Sequence, residues 1–107
     1  MASSVIKMDS SEPIKATANT AYVDNNNLFV TRVGRLVNVS GRFQVKTEKP
    51  AGQANYLFTG LPLVAGGAIV SFYDATGNIF IINGNLLTSN DAIPVGYYNV
   101  QFTYPSR

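Results

Sequence analysis

Six carboxylates carry most of the chemical potential of this chain: Asp9, Glu12, Asp24, Glu48, Asp74 and Asp91. No two lie closer than three positions, and each sits beside or near Asn, Ser, Pro, Gly or Lys in a turn context. Glycoside hydrolysis needs two carboxylates facing each other across a cleft, and nothing in this spacing favours such a pair. The chain has no His and no Cys. It therefore has no imidazole base, no Ser-His-Asp triad, no thiol nucleophile, no disulfide framework and no ordinary zinc or copper ligand set. The expectation is a protein that is not an enzyme and carries no cofactor or metal. Asp24-Asn25-Asn26-Asn27 offers oxygen ligands in a row but lacks the spaced ligands and downstream Glu of a calcium loop, so it reads as a plain loop.

Binding is the chemistry that remains. Amide and carboxylate side chains gather at turns, among them Asp74, Asn78, Asn85 and Asn90. Such groups suit hydrogen bonding to sugar hydroxyls, with a tyrosine such as Tyr97 for stacking; they are also what turns need for backbone reasons. Five of the eight basic residues fall between Arg32 and Lys49. Arg42 and Lys46 share the polar parity of one strand with Asn38 and Gln44. That strand is either a docking face for an anionic glycan or a charged strand that discourages edge aggregation. The candidate ligand contacts are thus Asp74, Asn78, Asn85, Asn90 and Tyr97, with Arg42 for an anionic ligand. A net charge of +2 is too mild for a nucleic-acid footprint.

The elements that must position these residues are strands. Short runs of Val, Ile, Phe, Tyr and Thr alternate with Gly, Pro and Asn, which interrupt helices. The clearest pattern covers residues 35–47, where Val37, Val39, Gly41, Phe43 and Val45 alternate with Asn38, Ser40, Arg42, Gln44 and Lys46. Strict alternation puts one face in a core. Gly41 in the middle reads as a bulge or bend. Further strands are expected at 28–32, 56–58, 68–73, 78–82, 86–88 and 97–104, with Asn83-Gly84 as a type I′ hairpin signal. Eight or nine short strands at this spacing predict an all-β antiparallel sandwich, jelly-roll or Greek-key barrel-like. Residues 1–27 are an N-terminal arm or the first strands, with a possible strand at 3–8, and 28–107 are the sandwich proper, within one compact domain.

Only 13% of residues are charged against 46% hydrophobic. In Ile79-Phe80-Ile81-Ile82 both parities are apolar, and Tyr97 stands opposite the Tyr98, Val100, Phe102 and Tyr104 face. The second face needs cover, either from a loop of the same chain, such as 61–67 or 1–15, or from a subunit contact. No apolar stretch has the length of a signal peptide or a membrane span.

Several stretches resemble the head domains of bacteriophage receptor-binding and tail-fibre proteins. Val33-Gly34-Arg35-Leu36-Val37-Asn38-Val39-Ser40-Gly41-Arg42-Phe43 looks like their G-x-x-V-x-V-x-G strand. Leu57-Phe58-Thr59-Gly60-Leu61-Pro62 is similar to their L-F-x-x-L-P segment. Gly84-Asn85-Leu86 resembles a late turn, and residues 93–104 resemble the closing strand with its paired tyrosines. The resemblance covers roughly residues 28–104. It implies a small antiparallel β head that forms homotrimers on a virion tail tip or fibre, contacts other tail proteins and binds host cell-surface saccharide. The alternative is a trimerisation or capsid-decoration module that binds no sugar. The chain has no Trp or His, and Ala65-Gly66-Gly67 stands where such heads carry Arg-Pro, so the resemblance transfers no binding residue. Light scattering after size exclusion should give a mass near three chains; a clean monomer would contradict the trimeric expectation.

Overall fold

The computed structural model describes residues 12–107. Among these residues nine strands form two antiparallel sheets: β1 (Glu12–Ile14), β2 (Thr17–Ala18), β3 (Val23–Val33), β4 (Leu36–Val45), β5 (Phe58–Thr59), β6 (Val70–Tyr73), β7 (Ile79–Asn83), β8 (Leu86–Thr88) and β9 (Gly96–Pro105). The first sheet has the order β1-β3-β4-β9, the second β2-β5-β8-β7-β6. The all-β sandwich expected from the strand spacing is what the chain forms. Residues 12–27 supply β1, β2 and the start of β3, and so contribute to both sheets. The possible strand at residues 3–8 lies outside the described residues.

Strand β4 is bonded along its whole length on both sides, to β3 and to β9. Its odd residues Val37, Val39, Phe43 and Val45 are buried, as the alternation requires. From β9 the even residues Tyr98, Val100 and Tyr104 join them. The second sheet answers with Phe58, Phe80, Ile82 and Leu87. Phe43 stands at the centre. Its ring meets Phe58 and Phe80 edge-on at 5.3 and 6.0 Å and stacks on Tyr98 at 5.8 Å, tying both sheets together. Burial of a Phe is worth roughly 2–3 kcal/mol, and each such aromatic pair adds about 1 kcal/mol.

Several local expectations need correction. Asp24-Asn25-Asn26-Asn27 is not a loop but part of β3, which follows β4 with a register shift between Val23 and Asn26. The irregularity is there rather than at Gly41, where pairing continues unbroken from Leu28 to Val100. Gly41 instead takes φ 132°, a conformation that L side chains rarely adopt. The β7–β8 hairpin pairs Asn83 with Leu86, so its two loop residues are Gly84 and Asn85. Gly84 has φ 63° and no described non-glycine residue has positive φ, which fits a type II′ turn and excludes type I′. The β3–β4 hairpin repeats the arrangement, with Gly34 at φ 61° between Val33 and Leu36.

The second apolar face of β7 is covered from within the chain at Ile81, while Ile79 on the same face is exposed. Ile81 and its cross-strand neighbour Thr88 face away from the core, yet Ile81 is only 3% exposed and Thr88 is buried. The Thr88 hydroxyl donates to the carbonyls of Gln53 and Asn55, so the 50–56 loop lies over this face rather than 61–67. The outward side of β9 has no such cover: Tyr97 is 58% exposed.

Two buried tyrosines seal the ends of β9. Tyr98 donates its hydroxyl to the Pro94 carbonyl at 2.6 Å, and Tyr104 donates to Pro62 at 2.8 Å. Burial pushes the Tyr104 phenol up from 10.0 to about 12. An unfolded chain releases this proton near its ordinary value while the folded chain holds it. The stability is therefore intact below about pH 10 and is lost as pH rises toward 12. Urea unfolding at about pH 9 and about pH 11.5 should show a loss on the order of 2 kcal/mol from this group. Tyr104→Phe should be less stable at the lower pH, through the unpaired Pro62 carbonyl, and should show a shallower alkaline decline. Equal slopes for the two proteins would contradict this account.

Candidate functional site

The pleat that sends odd residues of β4 inward sends even ones out. Across the first sheet, Phe29, Ser40 and Gln101 form one outward row. Arg42 and Asn99 form the next. Between the rows the backbone of Gly41 forms part of the floor. A groove of ≈ 590 Å³ opens here and runs past the edge of β9 to the β6–β7 hairpin, where Tyr73, Asp74 and Ala75 close it. Its ends carry exposed rings: Phe29 is 66% and Tyr73 70% exposed. A second groove of ≈ 450 Å³ lies beside β1, walled mostly by Pro13, Ile14, Ala16, Leu28 and Val30, and offers fewer polar groups.

The guanidinium of Arg42 lies 4.5 Å from the centre of the Tyr97 ring. This cation–π contact holds the long side chain over the sheet without occupying its N–H donors. Among the described residues, no hydrogen bond engages the side chains of Ser40, Asn99 or Gln101, and the Tyr97 ring is the one partner of Arg42. Four polar side chains, Ser40, Arg42, Asn99 and Gln101, thus face a groove bounded by aromatic rings.

Asp74 lines the same groove but is already engaged. It is a buried residue whose carboxylate accepts from Thr76 N at 3.0 Å, Asn78 N at 2.8 Å, the Thr76 hydroxyl and the Asn78 amide. The side chain replaces backbone in closing the turn. Burial pushes its carboxyl up, and the bonds from Asn78 and Thr76 outweigh that, leaving the pKa below the ordinary 3.8.

The structure therefore divides the six candidate contacts. Arg42 and Asp74 line the groove, Tyr97 orients Arg42, and Asn78 reaches it only through Asp74. Asn85 and Asn90 do not line it. Asn85 sits at the β7–β8 turn, where its carbonyl accepts from Leu61 N, and the Asn90 side chain accepts from Gln53 at 2.8 Å. Of the basic segment, Arg42 alone lines the groove, and Lys49 is fully buried. The sequence reading missed Phe29, Ser40, Tyr73, Asn99 and Gln101. The parity of β9 carried the signal for Asn99 and Gln101, since both are odd residues like Tyr97.

Because the Asp74 carboxyl is held below its ordinary pKa, its contribution to stability is present above about pH 4 and is lost as pH falls through the folded value. Asp74→Ala should cost on the order of 1–2 kcal/mol at neutral pH, a Tm drop of about 5–10 °C. The gap from wild type should close as the pH falls below the carboxylate range. A variant as stable as wild type at neutral pH would remove the turn-closing role.

Comparison with known proteins adds no constraint: no family model matches the chain, and no curated protein and no solved structure matches it.

Proposed function

We propose that the protein is a non-enzymatic saccharide-binding head, with the groove over Gly41 as its binding site. The observation that carries this reading is the contrast in side-chain engagement. Asp74, Asn78, Asn83, Asn90 and Gln53 are occupied in internal bonds, whereas Arg42, Ser40, Asn99 and Gln101 present groups that no described residue hydrogen-bonds, between exposed Phe29 and Tyr73. A sugar ring has an apolar C–H face and a polar rim, and aromatic walls around a polar floor complement both. Arg42 is the one cation lining the groove among the described residues. That suits a ligand with at most an isolated anionic group, and it is a poor match for a nucleic-acid backbone with a charge on every residue. Assembly as a homotrimer on a phage tail tip or fibre, with a host cell-surface glycan as ligand, extends this reading through the resemblance of residues 28–104 to such heads.

A second reading has its own observation. Val33, Leu36, Leu63 and Ile69 are all exposed, in a chain with few charges to keep such surface soluble. Contact through these residues would suit a structural trimerisation or decoration module with no sugar site.

An array of bacterial cell-wall polysaccharides, neutral and phosphate-bearing, separates the two. Wild-type protein should bind a subset of glycans. Arg42→Gln and Tyr73→Ala, both at exposed positions, should each lower that binding by about tenfold, a loss of about 1.4 kcal/mol. Asn85→Ala and Asn90→Ala should leave it unchanged. Absence of binding to every glycan, or equal binding by the groove variants, would sink the proposal and leave the structural reading.

A further inference from the structure

We propose that the loops at residues 50–52 and 89–91 form a binding site for a primary ammonium ion, and that Lys49 fills this site with its own side chain. The Nζ atom donates to four backbone carbonyls: Pro50 at 2.7 Å, Ser89 at 3.0 Å, Asp91 at 3.1 Å and Gly52 at 3.2 Å. Lys49 is 0% exposed. Among the described residues no carboxylate takes part in the coordination. An ammonium has three N–H donors, so one of them is shared between two of the four oxygens.

The cage is assembled from two loops about forty residues apart in sequence. Lys49 N donates to the Ile93 carbonyl and Ile93 N to the Lys49 carbonyl, both at 2.9 Å, and Gly52 N donates to Asn90 at 2.9 Å. The Ser89 hydroxyl then ties the second loop to Ile79 of β7 at 2.7 Å. These bonds aim the carbonyls at one point before any cation is considered. Carbonyl oxygens converging on one buried point repel each other, and a charged N–H donor resolves that repulsion as no apolar group can. Burial pushes the ammonium pKa down from 10.5, and the charge of Asp91 opposes this. The bonds to carbonyls, rather than a counter-ion in contact, hold the charge in place.

On this account the loops require an N–H-bearing cation at the cage and not the lysine stem itself. The cage residues do not line the Gly41 groove, so the test is independent of saccharide binding. Two variants, Lys49→Ala and Lys49→Met, are melted with and without propylammonium chloride, with tetramethylammonium chloride as a cation that has no N–H donor. Both variants should lose on the order of 10–20 °C in Tm. Propylammonium, which restores the missing stem and head group of Lys49→Ala, should raise its Tm by about 5 °C or more in a saturable way. Wild type and Lys49→Met, whose cavity is filled, should not respond, and tetramethylammonium should raise neither variant. A Lys49→Met protein that melts with wild type would overturn the proposal, because packing of the stem would then suffice. So would equal effects of the two cations on Lys49→Ala. If Lys49→Ala does not fold alone, the recovery of β-sheet circular dichroism on adding propylammonium is read instead, and no recovery overturns the proposal.

Discussion

Phe43 is the contact on which the two sheets depend. It belongs to β4, the strand bonded along its length on both sides, and its ring touches β5 and β7 of the opposite sheet as well as β9 of its own. A strand held this firmly has a fixed pleat. Once Phe43 points inward, Val37, Val39 and Val45 must follow, and every even residue of β4 must face out. A slip of one residue would bury Arg42 and expose Phe43, so the core sets the register and the register sets the outer surface. A further ring pair extends the seam between the sheets: Phe72 of β6 stacks on Phe102 of β9 at 3.5 Å, joining edge strands that share no ladder.

The groove is a consequence of that register. Arg42, Ser40, Asn99 and Gln101 face out because their neighbours are committed to the core. Gly41 belongs to the inward parity but carries no side chain, and its φ of 132° is open to glycine at little cost. The β6–β7 hairpin completes the wall, and there the Asp74 carboxylate holds the backbone that presents Tyr73. Polar side chains at turns such as Asp74, Asn78 and Asn90 are engaged in shaping the chain, whereas Ser40, Arg42, Asn99 and Gln101 on the outer face of the first sheet are available to a ligand.

This division explains what was legible in the sequence. Alternation over residues 35–47 gave the central strand and its buried face, since a period of two has one structural meaning when one parity is wholly apolar. Leu86–Thr88 and the closing strand were equally plain. Asp24-Asn25-Asn26-Asn27 misled because intrinsic preference favours a loop there, and pairing with β4 on the other side of the bulge overrides it. Asn78 and Asn90 were chosen for residue type, which does not reveal that their side chains are already engaged, and Asn85 lies at the β7–β8 turn away from the groove. Lys49 looked like its neighbours Lys46 and Arg42 for the same reason. Its burial depends on carbonyls from residues 89–91, whose approach no local pattern announces.

The openness of the groove bears on the proposed function. A shallow site on one sheet buries little of a sugar, and the ordering of exposed Arg42, Gln101 and Tyr73 on binding opposes the gain. Affinity at a single site is then low whatever the fit of the polar groups. A head that must hold a cell surface through such sites gains most from repeating them on a rigid frame, because the second and third contacts form at the effective concentration fixed by the first. The rigid core meets that need: the rings around Phe43 and the bonded length of β4 fix where each groove points. The exposed apolar residues Val33, Leu36, Leu63 and Ile69 do not line the groove, so contact between copies through them would leave the sugar-facing side chains free. On physical grounds, then, the saccharide reading and the assembly reading use separate surfaces, and weak individual sites give the first a reason to require the second.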